Sequence, residues 1–341
     1  MAKINNYYYD QLNKEQQRAY YAIKEGLLNL QESFAVPMLS QKELSDLYFM
    51  IRMDCPSIFY SVTFSYKYYG DSTAVEMVPQ YLFSKDKIKE HRQAMESRVK
   101  KLARQAIDLD EKGKELFIHD FIVKNVKYDK LKKEYSHEII GALGNGVAVC
   151  EGIAKAVKIL CDELGIWCII ALSEANPDKG IKYRHAWNVI QIGGKYYHLD
   201  VTFDNTLSKD DTIRYDYYNL SDKQIFRDHE SVIWKIPVCS DNDHFYYKEK
   251  KISWTTMDEV RNRTKQAVKK GKVLLFHWRG GYLTKEVLEQ LFDIFNQEAE
   301  AKAKKAYVSV NWSQAVLRVR FENGTGKEQI EMEEANEGEK N

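Results

Sequence analysis

Residues 141–204 decide the fold of this chain: GALGNGVAVCEGIAKAVKILCDELGIWCIIALSEANPDKGIKYRHAWNVIQIGGKYYHLDVTFD. Within this stretch, Cys150, His185 and Asp200 follow one another along the chain. Thiol enzymes combine these three side-chain types as nucleophile, base and orienting acid. The three residues are far apart in sequence, but such partners meet in space rather than along the chain.

Cys150 is predicted to begin an amphipathic helix. A loop signal, Gly144-Asn145-Gly146, precedes it, and Gly165 is placed as the residue that ends the helix. Apolar residues recur between them at helical spacing: Ile153, Val157, Leu160, Cys161 and Leu164. Because the first N–H groups of a helix lack internal partners, a thiol there should have a pKa below the ordinary value of about 8.5. Small residues follow and are expected on the solvent side: Gly152, Ala154 and Ala156.

A β-hairpin is predicted after this helix. The segments RHAWNVIQI (184–192) and KYYHLDVTF (195–203) read as strands. They flank Gly193-Gly194, a signal for a two-residue turn. With that turn, Ile192 faces Lys195, whereas a three-residue loop would reverse the parity of the side chains.

The two-residue turn would bring His185 and Asp200 onto one face of the hairpin. Counting back along the strands places Trp187 opposite Asp200, and His185 lies diagonal to Asp200 within reach of a long side chain. A thiol nucleophile needs a base that takes its proton and a carboxylate that fixes the tautomer of that base. Asp204 is an alternative orienting acid, but it lies off the hairpin, and the parity favours Asp200.

Several segments resemble the transglutaminase-like superfamily: VCEGIAKAVKILCDELGI, RHAWNVIQIGGKYYHLDVTFD, FIHDFIVKNVKYD and SHEIIGAL upstream, and YYNLSDKQIFRDHE downstream. Together they cover roughly residues 114 to 230. The resemblance implies an α+β fold with a papain-like, transglutaminase-like core, in which a helix that starts at the nucleophile packs on an antiparallel sheet. It also implies that Cys150 is the nucleophile, His185 the base and Asp200 the orienting acid. It is closest to bacterial members, and the segment around Cys150 lacks the QCWVFA-like surroundings of animal transglutaminases.

The expected function is cysteine-dependent acyl transfer on a peptide or carboxamide through a thioester at Cys150. Hydrolysis by a cysteine protease or amidase is favoured because the animal-type surroundings are missing. Two alternatives are transfer to an amine, as in a protein-glutamine transglutaminase, and an inactive module that binds a peptide or glycan. A further alternative is a scaffold whose C-terminal part recruits a partner. The chemistry needs a protein or peptide substrate and neither a metal nor an organic cofactor.

Other residues are weighed against structural roles. Trp187 is predicted to wall the cleft, with core packing as the competing interpretation. Tyr128 and Tyr135 could line the cleft or donate to an oxyanion, although packed loop tyrosines are the simpler interpretation. His119 is interpreted as structural. The backbone N–H of Cys150 is one oxyanion donor, and the second donor stays open among several groups.

Composition excludes several classes of protein. The chain has 341 residues, a net charge of +1 and 44% hydrophobic residues, which argues against a nucleic-acid partner or a membrane surface. Five cysteines without a CxxC pair describe neither a disulfide framework nor a zinc site. The N-terminus has no apolar core of a signal peptide, and no apolar run reaches the ~18 residues of a membrane span. The chain is therefore expected in the cytoplasm, without membrane insertion, and no oligomeric state is implied.

The chain is divided by pattern into four regions. Residues 1–110 are predicted as an accessory α+β region, 111–238 as the catalytic core, 239–325 as a small α/β region, and 326–341 as a disordered acidic tail. Pro79 suggests that the second strand of the accessory region is an edge strand or ends in a bulge.

Overall fold

The computed structural model of the chain describes residues 6–70, 72–179, 181–208, 212–324 and 329–333. Helices and strands alternate irregularly along the chain, and the fold is α+β, as the sequence predicts. Across these ranges, every helix is too short or too polar to cross a membrane.

The first region combines three helices with a small antiparallel sheet. Its elements are α1 (Lys14–Leu28), β1 (Phe34–Pro37), α2 (Gln41–Asp54), β2 (Ser61–Tyr68), β3 (Ala74–Tyr81) and α3 (Lys85–Ala103). The strand order is β1-β3-β2, so β3 is central and not an edge strand. The alternative expectation, a bulge at the end of this strand, agrees with the register shift there, where Tyr81 pairs with Ser61 and Gln80 with Thr63. The short β1, which sequence reasoning missed, pairs only with the first half of β3. Pro79 lies beyond that pairing, opposite Phe64 of β2.

The next region holds the helix and sheet that the resemblance predicts. Its elements are α4 (Glu111–Asn125), β4 (Lys127–Tyr128), β5 (Val147–Ala148), α5 (Cys150–Leu164), β6 (Cys168–Leu172), β7 (Ala186–Ile192), β8 (Lys195–Leu199), α6 (Val201–Leu207), β9 (Tyr218–Leu220) and α7 (Asp222–Ile225). The helix α5 packs against the antiparallel sheet β6-β7-β8-β9. The predicted core, a helix that begins at Cys150 and lies on an antiparallel sheet, is therefore confirmed.

The helix α5 is buried on nearly all sides. It ends as predicted at Gly165, whose φ of +76° is left-handed and suits a residue without a side chain. The small residues Gly152, Ala154 and Ala156 are buried, so the expectation that they face solvent is wrong. The reason is that α3 and α4 cover the side of α5 that the sheet leaves open.

The β7-β8 hairpin has the predicted register. Gly193 and Gly194 both have positive φ, +58° and +78°, as a two-residue hairpin turn of type I′ requires. Ile192 pairs with Lys195, and the ladder runs back to Asn188 opposite Leu199. The parity on which the sequence argument depended is thus confirmed.

The last region is a five-stranded sheet with helices. Its elements are α8 (Tyr246–Glu249), β10 (Ser253–Trp254), α9 (Met257–Lys270), β11 (Leu274–Trp278), α10 (Lys285–Glu300), β12 (Lys304–Asn311), β13 (Val316–Asn323) and β14 (Gln329–Glu333). The strand order is β10-β11-β13-β12-β14. The prediction of a disordered tail is wrong for β14, because its backbone pairs in parallel with β12. The rest of the predicted tail, beyond residue 333 and at 326–328, lies outside the described residues.

The buried apolar side chains form two large clusters. One extends from α1 through the β6-β7-β8-β9 sheet to α8 and Val316 of β13, so the first region and the region of α5 share one hydrophobic core. The other is confined to the last region, between its sheet and the helices α9 and α10. The division of the chain into domains stays a prediction.

Gly152 tests how tightly α5 is enclosed. An added Cβ would lie 2.2 Å from the backbone oxygen of Ser136, a contact that only a backbone shift relieves. Alanine gains about 1 kcal/mol of helix propensity over glycine, but overpacking against a fixed atom costs about 1–3 kcal/mol. We expect Gly152→Ala to lower the free energy of unfolding by about 1 kcal/mol in urea denaturation. Gly70→Ala, in open space, is the control and should change it little; equal stabilities of the two variants would contradict the packing described.

Candidate active site

Asp200 is the fixed point of the site. It caps the N-terminus of α6, and its Oδ1 accepts hydrogen bonds from the backbone N–H groups of Thr202 at 2.9 Å and Phe203 at 3.1 Å. Its other oxygen, Oδ2, lies 2.7 Å from Nε2 of His185. Because the backbone holds one oxygen, the second is aimed at the imidazole without freedom to rotate.

His185 lies one residue before β7 and is held on several sides. Its ring stacks on Trp187 at 5.7 Å with an interplanar angle of 17°, and it contacts Phe203 at 4.7 Å. The side chain is 9% exposed. Since Nε2 faces Asp200, Nδ1 is the ring atom suited to take a proton from a nucleophile.

Cys150 is the first residue of α5 and is 6% exposed. It belongs to a small apolar cluster that is separate from the two large ones. The other members are Tyr8, Met53, Ala154, Ile170, Leu172 and Ala186, with Tyr7, Met50, Ile233 and Trp234 packed against them. Ala186 is the chain neighbour of His185, so the thiol cluster and the imidazole share one corner of the sheet.

Residues 100–201 match the family model described as the transglutaminase-like superfamily. Over this range the chain is similar to that superfamily. The matched range contains all three residues that the sequence singled out, namely Cys150, His185 and Asp200.

Two solved structures are similar to parts of the chain. One is described as a "putative cysteine protease" from Cytophaga hutchinsonii, with 18% identity and a TM-score of 0.27 over 41% of this chain and 62% of that one. The other is described as a TGase, with 11% identity and a TM-score of 0.28 over 67% of this chain and 66% of that one. The chain thus spans just under two thirds of each, and at these TM-scores neither likeness carries an argument. No curated protein matches the chain.

The surroundings of Asp200 contain a second histidine that sequence reasoning missed. Nε2 of His229 lies 2.9 Å from Oδ2 of Asp200, and its Nδ1 lies 2.8 Å from Oδ1 of Asp228. Burial alone would raise the pKa of Asp200, but His185 and His229 outweigh burial and hold that pKa well below its usual range. His229 lies in the downstream segment that carries the family resemblance, yet no spacing rule links it to Asp200.

The N-terminal segment also takes part unexpectedly. Tyr8, in the thiol cluster, donates its hydroxyl to the backbone oxygen of Ile170 in β6. The backbone N–H groups of Tyr8 and Tyr9 face the carboxylate of Asp54, at 3.5 and 3.4 Å, and Tyr20 donates its hydroxyl to the same carboxylate at 2.9 Å. Burial raises the pKa of Asp54 to about 6. In the sequence this segment is marked only by its tyrosines. Because they form no motif, the sequence does not predict that the segment lies beside Cys150.

The three predicted cleft residues lie in different surroundings. Trp187 is 1% exposed and backs the imidazole from behind, and its indole donates to Nδ1 of His198 at 2.9 Å. Tyr128 is half-buried in β4 and pairs in parallel with Ala148. Tyr135 lies in a short turn, with the ammonium of Lys133 over its ring. Their roles in substrate binding stay predictions.

His119 and Asp204 form a pair of their own. Nε2 of His119 lies 3.1 Å from Asp204, and its Nδ1 lies 3.1 Å from Asp120. Both members of the pair are fully buried, and burial raises the pKa of Asp204 to about 7. The alternative in which Asp204 orients His185 is therefore not the observed arrangement.

Two groups of side chains in the described ranges are close enough to consider for a metal. In the group of His198, Asp222 and Cys239, the indole of Trp187 can only donate, so Nδ1 of His198 accepts. Nε2 of His198 then carries the proton, which it donates to Asp222 at 2.8 Å, and it is not a metal ligand.

The other group consists of His185, Asp200 and His229. Two ligands of a tetrahedral zinc ion lie about 3.3 Å apart. The contacts of 2.7 and 2.9 Å to Asp200 are shorter and fit hydrogen bonds instead.

Asp200→Asn should destabilise the protein most at neutral pH. Since the folded pKa of Asp200 is depressed, its ionic contribution is complete above the unfolded value of about 3.9 and is lost as the pH falls below it. We expect a loss of about 3–5 kcal/mol at pH 7, as for other broken buried ion pairs. Urea midpoints between pH 3 and pH 8 should show the two proteins converging toward acid pH. Asp243→Asn, at a half-exposed carboxylate, is the control with a smaller loss; a gap independent of pH would contradict this role of Asp200.

Proposed function

We propose that this chain catalyses cysteine-dependent acyl transfer on a peptide or carboxamide substrate. The observation that carries the proposal is the 2.7 Å hydrogen bond between Nε2 of His185 and Oδ2 of Asp200. It lies beside a helix whose first residue is Cys150, inside a match to a superfamily that includes such enzymes. Asp200 thereby selects the tautomer that leaves the basic role to Nδ1 of His185.

The chemistry follows from these positions. Nδ1 of His185 takes the proton of the Cys150 thiol, and the sulfur attacks the substrate carbonyl. The tetrahedral intermediate collapses when the imidazolium gives that proton to the leaving amine, which breaks the C–N bond and forms a thioester. A water molecule, deprotonated by His185, then attacks the thioester carbonyl, and the thiol leaves with the proton. Asp200 stays ionised throughout and stabilises the imidazolium.

The oxyanion requires donors that are in place before the reaction. The backbone N–H of Cys150 opens α5, where N–H groups have no partner within the helix and the helix dipole favours negative charge. This N–H is one donor of the proposed oxyanion hole. The second donor is still open. The indole N–H of Trp234, which packs against the thiol cluster, is one candidate.

Hydrolysis is the favoured outcome of the thioester. The segment around Cys150 lacks the surroundings found in animal transglutaminases, which bind an amine as the second substrate. Water needs no binding site of its own, whereas an amine does. Transfer to an amine nevertheless uses the same Cys150, His185 and Asp200, and it is the nearest alternative.

A peptide-binding module without catalysis is the second alternative. It is favoured by one observation, the 6% exposure of Cys150 within an apolar cluster that includes Tyr8 and Met53. An apolar cluster of this kind suits a bound apolar side chain. The thiol reactivity of Cys150 separates the two functions, because only an enzyme needs a thiolate.

Alkylation by iodoacetamide, followed at each cysteine by mass spectrometry between pH 5 and pH 9, tests the proposed pair. We expect Cys150 to react well below pH 8. His185→Ala should slow that reaction by about tenfold or more, because the thiolate loses its counterion. Burial raises the pKa values of the Cys55 and Cys239 thiols, so these thiols should not compete.

A matched control is His91→Ala, which removes a histidine of α3 whose ring packs on Phe83. It should leave the rate at Cys150 unchanged. If Cys150 of the wild-type protein reacts no faster than an ordinary thiol, the enzyme proposal fails and the binding module is favoured.

Casein incubated with dansylcadaverine separates hydrolysis from transfer. We expect new peptide N-termini or converted glutamine side chains, detected by mass spectrometry, and no incorporation of the fluorescent amine. Cys150→Ala should abolish the products. Incorporation of dansylcadaverine at a rate above hydrolysis would instead establish the transglutaminase reaction.

A further inference from the structure

His229 lies between two carboxylates. Its Nε2 is 2.9 Å from Oδ2 of Asp200, and its Nδ1 is 2.8 Å from Oδ1 of Asp228. A neutral imidazole has one donor and one acceptor, and an ionised carboxylate only accepts. Both contacts can be favourable together only if both ring nitrogens carry protons, which makes His229 an imidazolium.

The surroundings of Asp228 indicate that it is ionised. Its Oδ2 accepts from the hydroxyl of Tyr217 at 2.6 Å and faces the amide nitrogen of Gln314 at 3.4 Å. Hydrogen bonds donated to a carboxylate oxygen favour the ionised form of the group. The proton between His229 and Asp228 therefore belongs to the ring.

The charge of His229 is enclosed by protein. Its side chain is 1% exposed, and burial lowers its pKa, but the hydrogen bonds to Asp200 and Asp228 outweigh burial and raise the pKa above the ordinary value. The rings of Phe203, Tyr217 and Trp187 lie around it. Titratable neighbours besides the two carboxylates are Tyr217, His185, whose ring centroid is 5.2 Å away, and His198, whose pKa is lowered in part by His229.

His198 lies on the other side of Trp187, to whose indole it is hydrogen-bonded, and it is uncharged. Burial lowers its pKa, and its hydrogen bonds to Trp187 and Asp222 fit the neutral ring. It therefore provides a neutral histidine with which His229 can be compared.

We propose that His229 is a positioning residue whose permanent positive charge lies beside the carboxylate of Asp200. This charge weakens the attraction of Asp200 for a proton on His185. This role rests on the proposed acyl transfer. Asp200 then orients the imidazole without trapping its proton. An imidazolium held less tightly is a better acid toward the leaving amine. The arrangement Asp228, His229, Asp200, His185 thus tunes the base from the side away from the substrate.

The protonation of His229 can be observed directly. The full-length protein, labelled with ¹⁵N at histidine, would be studied by two-dimensional NMR of the ring nitrogens at pH 7.5, with His229→Gln used to assign the signals. We expect both nitrogens of His229 to be protonated. A ring with one unprotonated nitrogen would overturn the proposal.

The effect on His185 is measured by its titration in the Cys150→Ser protein, which removes the thiol from the experiment. Adding His229→Gln keeps an N–H donor toward Asp200 but deletes the charge. Because a nearby positive charge opposes protonation, its removal should raise the titration midpoint of His185 by about one pH unit. His198→Gln, which replaces a neutral ring, should leave the midpoint nearly unchanged. An unchanged or lowered midpoint in His229→Gln would overturn the proposal.

Asp228→Asn gives a second measurement in case His229→Gln folds poorly. With one carboxylate gone, His229 should lose its extra proton at a lower pH and titrate within the range that NMR covers. Once His229 is neutral in this variant, the titration midpoint of His185 should rise as in His229→Gln, and an unchanged midpoint would overturn the proposal. None of these measurements uses thiol chemistry. An unreactive Cys150 would therefore refute the enzyme proposal, while the NMR titrations would still decide whether His229 is protonated.

Discussion

The site depends on the carboxylate of Asp200, which is shared between backbone and side chains. Its two oxygens receive four donors: the N–H groups of Thr202 and Phe203, and the rings of His185 and His229. A buried carboxylate without such donors would become neutral, since burial disfavours its charge. The same contacts that keep Asp200 ionised also begin α6 and orient His185. Local structure and chemistry are therefore fixed by one group.

The surroundings of Asp200 draw on the whole chain. The last region contributes Gln314, in the turn between β12 and β13, which faces Asp228 and donates to the backbone of Gln224. The first region approaches Cys150 through Arg52 of α2, whose guanidinium lies 3.0 Å from the carboxylate of Glu151, the next residue along the chain. Contacts of this kind arise only in the folded chain.

The parts of the site that sequence predicted are those set by short-range rules. The turn at Gly193-Gly194 fixes the hairpin parity, and parity fixes which side chains share a face with Asp200. Helical spacing and a glycine C-cap likewise fix α5. These rules involve only a few neighbouring residues, so they can be applied without knowledge of the tertiary fold.

The parts that sequence missed are joined by tertiary contacts with no periodicity. His229 is 29 positions from Asp200, and Tyr8 is 162 positions from Ile170, with no spacing rule for either pair. The small residues of α5 were expected at the surface. The sequence shows the size of a side chain but does not show which parts of the chain cover it. β14 was expected to be disordered because its acidic composition argues against burial. A strand that pairs through its backbone, however, needs few buried side chains.

This interdependence changes how the scaffold alternative should be examined. If the last region were an independent recruiting module, its removal would leave the thiol site intact. However, Gln314 contacts Asp228, and Asn311 donates to the buried carboxylate of Asp216, which also binds Arg214 and Tyr247. Removing residues 240–341 would strip donors from the carboxylates of Asp216 and Asp228. Loss of activity on truncation therefore says nothing about recruitment, and point substitutions on the exposed face of the last region are the sounder approach.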